Sequence, residues 1–282
     1  MVFKVNLFLI GMQKSGSTSI FNFLKQCNEI SCSKVKETNI FTDDNLRKKI
    51  NNKHTTNIYK CDDLSKFFST NNQYEYYLEG SVNHFYSRNA PLKLFKYNPN
   101  AKLILIIRDP IDRIISHYKM DLNLGYNSDT LNKSLNYEIN SSQAYGSDLG
   151  YIEMSYVEKY LNIWLKYFSN NKILILNFND LKNHTKITKQ LSDFLNIKIN
   201  QKFIKQYNIG RVPKYKYISQ FLNFFNYRGV ISKVLPSLLK YFLYKLLYTK
   251  DFSNKGVINK NIKNALTDKF HSDKIYTSSL LK

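Results

Sequence analysis

Two hydrophobic periods alternate along the first 200 residues. Near-continuous apolar runs at 5–10 and 102–107 predict strands buried on both faces, and 74–79 and 172–178 read as further strands. Between them the apolar spacing becomes helical. Ile20, Phe23, Leu24 and Cys27 predict a helix ending near residue 26. Ile111, Ile114, Ile115, Tyr118 and Leu122 predict a second, opened by Asp109 as N-cap and Pro110 in the first turn. Tyr156, Tyr160, Leu161, Trp164, Leu165 and Phe168 mark a third, and a fourth runs to about residue 195. Strand and helix in alternation predict an α/β fold, a single domain with a central, mostly parallel β-sheet flanked by helices. Residues 42–72 and 125–150 are polar and weakly patterned and are expected to be loops, the first with short helices. The expected division is an α/β core over 1–212 and a helical C-terminal extension over 213–282 packed on it.

The junction of the first strand and helix carries the first candidate chemistry. It reads Gly11-Met12-Gln13-Lys14-Ser15-Gly16-Ser17-Thr18-Ser19. A helix start leaves N–H groups unpaired and its dipole positive, so a phosphate can dock there. Hydroxyls at Ser15, Ser17 and Thr18 add donors, and Lys14 adds a full charge. Gly11 and Gly16 have the spacing of the nucleotide-triphosphate P-loop, but Ser17 stands where that loop needs lysine. The cradle therefore suits a different anionic group.

Charge and cysteine content narrow the picture only a little. A formal charge of +21 points to an anionic partner. Lys, Asn, Ile and Tyr are abundant together, as an AT-rich coding bias would make them, so part of that charge is compositional. Cys27, Cys32 and Cys61 fit no zinc spacing. Cys27 reads as a small core residue, and a Cys32–Cys61 bridge stays open. A strand so close to Met1 leaves no room for a signal peptide, so a cytoplasmic location is expected. No uncharged run reaches the roughly 18 residues of a spanning helix.

A second anion-binding segment follows the apolar run at 102–107. Arg108 stands where that strand ends, at the sheet edge where parallel α/β folds bind ligands. Its rigid donor fork suits phosphate, and Arg113 and Ser116 follow on the next helix. An Arg108–Asp112 pair is the alternative reading.

Together the two segments resemble the PAPS-dependent sulfotransferases, and among them the heparan sulfate and other carbohydrate enzymes. That family's 5′-phosphosulfate loop is similar to Gly11–Thr18, and its 3′-phosphate motif is similar to the stretch from Arg108 to Ser116. Lys36-Glu37-Thr38-Asn39-Ile40-Phe41 resembles the K-E-x-x-[FY]-F segment of the heparan-type enzymes. Glu79-Gly80-Ser81 with Tyr86 resembles their E-x-[ST]…Y segment. The likeness covers roughly residues 3–212 and implies a P-loop NTPase-like topology.

The resemblance implies 3′-phosphoadenosine 5′-phosphosulfate (PAPS) as cofactor and 3′,5′-ADP as product. Lys14, Ser15, Gly16, Ser17, Thr18 and Ser19 would hold the 5′-phosphosulfate, and Arg108 and Ser116 the 3′-phosphate. Arg211, with Lys214, would close over the 3′-phosphate. No metal ligands are implied. Lys14 would meet the charge that builds on the leaving oxygen. Glu37 is the first candidate for the base that activates a hydroxyl or amine of a carbohydrate or glycan. His84 is the second, since other sulfotransferase branches use histidine. His54, His117, His184 and His271 have no constellation around them in the sequence. The basic composition suits an acidic polysaccharide acceptor, and nucleic acid is not an expected partner. Residues 214–249, rich in Phe, Leu and Lys, read either as a packed helical subdomain or as a basic amphipathic surface for peripheral membrane contact. Two rival readings make different demands. A P-loop kinase or NTPase needs a lysine before Ser17 and a magnesium-binding aspartate. A non-catalytic basic protein that binds membrane or nucleic acid would not need Lys14 or Glu37.

Overall fold

A computed structural model of the chain describes residues 4–51, 64–69, 74–200, 212–213, 248–249 and 256–281. Five strands form one sheet: β1 (Leu7–Gly11), β2 (Ile30–Cys32), β3 (Tyr76–Gly80), β4 (Lys102–Ile107) and β5 (Ile173–Asn177). They lie in the order β2-β3-β1-β4-β5, and every pair is parallel. This is the α/β parallel sheet the alternating pattern predicts. β2, an edge strand of only three residues, carries too little periodicity to be read from sequence.

Among the described residues from Ser17 to Leu195 there are seven α-helices: α1 (Ser17–Leu24), α2 (Asp44–Asn51), α3 (Ala90–Tyr97), α4 (Pro110–Leu124), α5 (Leu131–Ser141), α6 (Glu158–Trp164) and α7 (His184–Leu195). The described residues fall into two compact units. One comprises residues 1–109, 156–207 and 272–282; the other comprises 110–155 and 208–271. Of the extension expected over 213–282, the described residues include the helices Lys260–Lys269 and His271–Leu280, with Val212–Pro213 pairing antiparallel with Tyr248–Thr249. The stretch 214–249, read as either a packed subdomain or a membrane-contact surface, otherwise lies outside the described residues. Among them, no helix is long and apolar enough to cross a membrane.

The first unit is built on the sheet. Leu7, Leu9, Leu78, Ile104, Ile106 and Leu176 form a core with Ile20, Phe23 and Leu24 of α1 and Ile187, Leu191 and Leu195 of α7. Cys27 joins this core as the sequence predicts, and Cys27 and Cys32 are both free thiols, while Cys61 lies outside the described residues. Strand alternation turns Phe8 away from that core. Its ring packs edge-on against Phe41 and Tyr97. Trp164 of α6 donates its indole N–H to Phe85 O at 3.3 Å. The C-terminal helix closes α6: Asp273 Oδ1 accepts from Val157 N and Glu158 N, both at 2.8 Å, a side-chain cap drawn from over a hundred residues away.

The described part of the second unit buries polar groups as well as apolar ones. Its α5 falls inside the stretch expected to be loop. Thr130 caps it by accepting from Lys133 N, and Leu131, Leu135 and Glu138 are buried along one face. Polar positions between them mask the period in sequence. The Glu138 carboxylate accepts from Tyr145, Tyr151 and Ile152 N–H groups at 2.7–3.0 Å, which fixes the turn that follows.

Candidate active site

The connections leaving β1 and β4 diverge from adjacent strands. A doubly wound sheet leaves a crevice at such a point, outside the carboxyl ends of its strands. The first anion segment sits there. After β1, Met12 N donates to Ile106 O at 2.9 Å, and the chain then turns through Lys14 (φ 69°) and Gly16 (φ 88°) into α1. A left-handed backbone costs an ordinary side chain about 1–3 kcal/mol, so Lys14 is held there by its surroundings. Gly16 is required on two counts: its positive φ, and a Cβ there would lie 2.4 Å from Leu181 Cδ1. Successive N–H groups in such a turn make an anion-binding concavity.

Helix α1 has no side-chain cap and no acidic residue in its first turn, which leaves its positive end uncompensated. Ser15 is fully buried, and its Oγ has no hydrogen-bond partner among the described residues. A buried orphan hydroxyl in this turn fits an oxygen-rich anion. Ser17 and Ser19 are buried on α1, while Lys14 and Thr18 are partly exposed.

Arg108 reaches back from the end of β4 and binds this loop directly. Its Nη1 donates to Lys14 O at 2.9 Å, and its guanidinium lies 4.1 Å over the Phe178 ring. Ser116 lies in the second unit on α4, partly exposed. Arg113, on the same helix, is fully buried: Nε donates to Ser155 Oγ at 2.7 Å and Nη2 to Tyr151 O at 2.7 Å. Arg211 and Lys214 lie outside the described residues.

The Glu37 loop follows β2 and lies against the end of β3. Glu37 N donates to Gly80 O at 2.8 Å, and Glu37 Oε2 accepts from Val82 N at 3.0 Å. Its other oxygen pairs with Lys36 Nζ, both side chains remaining partly exposed. Glu37 and Asn39 both have left-handed backbones, with φ of 66° and 54°. The carboxylate is thus partly exposed on a fixed loop at the same sheet edge as the cradle, since β3 is the parallel neighbour of β1.

Beneath the loop lies a carboxyl group that the sequence did not single out as chemical. Glu79 is fully buried. Its Oε1 accepts from Thr38 Oγ1 at 2.7 Å and from the Ser81 hydroxyl. Burial pushes its pKa up to about 7, with the two hydroxyls acting against the rise. His84 is also fully buried, and burial holds its pKa down at about 3. Its Nε2 accepts from Phe41 N at 3.2 Å, so in the neutral ring Nδ1 carries the proton, 3.6 Å from Glu79 Oε2. Its ring therefore serves the loop from below, with no open face toward solvent.

His117, by contrast, has the constellation that its sequence neighbours do not show. In the second unit its Nδ1 lies 3.2 Å from Arg113 Nη2, and its Nε2 lies 2.8 Å from Ser147 Oγ. Ser147 in turn donates to Asp121 Oδ1 at 2.5 Å, and Tyr151 OH donates to Asp121 Oδ2 at 2.8 Å. His117, Asp121 and Ser147 are all fully buried, so this Ser-His-Asp set ties a loop to α4 and exposes no nucleophile. Sequence reasoning missed it because Ser147 stands thirty residues from His117 across an irregular segment.

A family model described as a sulfotransferase domain matches residues 4–221. The chain belongs to the sulfotransferase domain family. Relatives include heparan sulfate glucosamine 3-O-sulfotransferase 3B1 from Mus musculus, 25% identical over 122 residues, or 43% of this chain and 31% of that protein. The Homo sapiens 3B1 enzyme is 26% identical over 99 residues, 35% of this chain and 25% of its own length. The chain thus matches less than a third of the length of these curated relatives. A solved sulfotransferase from Alicyclobacillus acidocaldarius superposes with a TM-score of 0.61 at 18% identity, covering 73% of this chain and 87% of that one, which supports the common fold.

Proposed function

We propose that the protein is a PAPS-dependent sulfotransferase that modifies a hydroxyl or amine of a carbohydrate, with Glu37 as base. The observation that carries the reading is the pairing at one sheet edge of a Lys14–Thr18 anion cradle with a partly exposed carboxylate, Glu37. Family membership, and the heparan sulfate acceptors named for its relatives, support it. The basic charge suits an acidic polysaccharide.

PAPS supplies an activated sulfuryl group joined to phosphate through a bridging oxygen. The cradle fits that anion: the uncapped start of α1, the left-handed turn at Lys14 and Gly16, and the buried Ser15 hydroxyl all present donors. Lys14 neutralises charge that grows on the departing phosphate oxygen, an interaction stronger in the transition state than in the ground state. Arg108 holds the Lys14 carbonyl and so fixes the loop that aims this cation. Arg108 and Ser116 are assigned to the 3′-phosphate through the family motif. Glu37 takes the proton that the acceptor hydroxyl or amine loses, while Lys36 pairs with its other oxygen.

Glu37→Gln keeps size and removes the base. The expected loss in kcat is about 10²–10⁴-fold with radiolabelled PAPS and a heparan-type oligosaccharide, with 3′,5′-ADP binding retained. Wild-type turnover in Glu37→Gln would remove Glu37 from the role. Turnover by the wild type on no carbohydrate acceptor, but on a phenol or lipid alcohol, would overturn the acceptor assignment.

A further inference from the structure

We infer that Glu79 is a positioning residue for Glu37, acting through Thr38 and Ser81. The inference rests on the proposed role of Glu37 and adds to it the device that sets its geometry.

Glu37 occupies a backbone conformation that a non-glycine residue rarely adopts, and Asn39 repeats it two residues later. Something must hold both. Backbone pairing does part of this, between Glu37 N and Gly80 O. Val82 N donating to Glu37 Oε2, and Asn39 Nδ2 donating to Glu37 O at 3.1 Å, add to it, and a further set of bonds converges on Glu79. Thr38, between the two left-handed residues, donates its hydroxyl to Glu79 Oε1. Ser81 donates to the same oxygen and accepts from Asn39 N at 2.9 Å. One buried carboxyl oxygen therefore grips the loop on both sides of the bond that would otherwise relax. His84 faces the other carboxyl oxygen and also accepts from Phe41 N, which fixes the far end of the same loop. Burying a carboxyl group is costly, and an apolar residue would fill the space more cheaply. A group that fixes Glu37 to within a fraction of an ångström gives that burial a use.

The sharpest probe is Thr38, which is 1% exposed and whose hydroxyl can be removed at constant shape. Thr38→Val should lower kcat by about tenfold to a hundredfold, and Thr38→Ser should restore it to within about twofold of wild type. The Km for PAPS and the melting shift induced by 3′,5′-ADP should stay put in both. Glu79→Ala should lose at least as much, and if it fails to fold the Thr38 pair still decides. In a Glu37→Gln background, Thr38→Val should have no further effect on kcat, because the group being positioned is gone. Wild-type kcat in Thr38→Val while Glu37→Gln is inactive would overturn the positioning role alone. Equal losses from Thr38→Val in both backgrounds would also overturn it, by showing a general structural effect. An active Glu37→Gln enzyme would instead sink the base assignment and this inference with it.

Discussion

The two loops that bear the candidate chemistry are both strained and are held in opposite ways. The Lys14 cradle is mainly a backbone device. Its donors are N–H groups, its shape needs glycine at Gly16, and one side chain, Arg108, reaches back to its carbonyl. The Glu37 loop is a side-chain device. It contains no glycine, and it keeps its left-handed residues by hydrogen bonds to Glu79, Ser81 and Val82 at the end of β3. The difference follows from the tasks proposed for them. A cradle meets a multiply charged anion that itself organises the donors. A base must already point correctly before a neutral hydroxyl arrives, so its orientation has to be built into the protein.

If that contrast is right, the largest effect comes from breaking the backbone device. Gly16→Ala places a Cβ against Leu181 at an unfavourable φ. We expect the melting shift given by 3′,5′-ADP to disappear, since the N–H donors can no longer converge. An undiminished shift would show that the cradle tolerates a side chain at this turn.

A smaller effect separates the loops by pH. Met12–Ser17 contain no carboxyl group, whereas the Glu37 loop rests on Glu79, whose pKa rises from 4.5 to about 7 on folding. A carboxyl raised on folding is more readily ionised in the unfolded chain. Its contribution is therefore complete below about pH 4.5 and is lost as pH climbs through about 7. Denaturant melts of the wild type should show stability falling across this window, and Glu79→Gln should flatten the fall. An unchanged slope in Glu79→Gln would assign the dependence to another group.

The same contrast explains what could be read from the chain. The strand, turn and helix around Lys14 were legible because their physics is local: an apolar run, a Gly/Ser turn and a helix start lie within one short window. The parallel sheet was legible because strands such as β4 are apolar throughout. The support of Glu37 was not, since Thr38 and Glu79 are 41 residues apart and meet only when β2 is laid beside β3. His84 looked like a candidate base for the same reason: whether a histidine is open or buried depends on partners such as Phe41 and Glu79 that sequence spacing does not reveal. Arg113, His117 and Asp121 stand on a helix the sequence predicts, but Ser147, which joins His117 to Asp121, and α5 fall in a polar stretch that reads as loop and turns out to hold buried residues.

The central claim is that the cradle is built for a nucleotide with separate 5′ and 3′ anionic ends. A thermal-shift titration with 3′,5′-ADP and, separately, ATP with Mg²⁺ tests it on the intact chain. A ligand at 100 times its Kd stabilises the folded state by about 2.7 kcal/mol, which such a melt resolves easily. The prediction is a saturable rise in melting temperature with 3′,5′-ADP that far exceeds any rise with ATP–Mg²⁺. Stabilisation by ATP–Mg²⁺ with none by 3′,5′-ADP would contradict it.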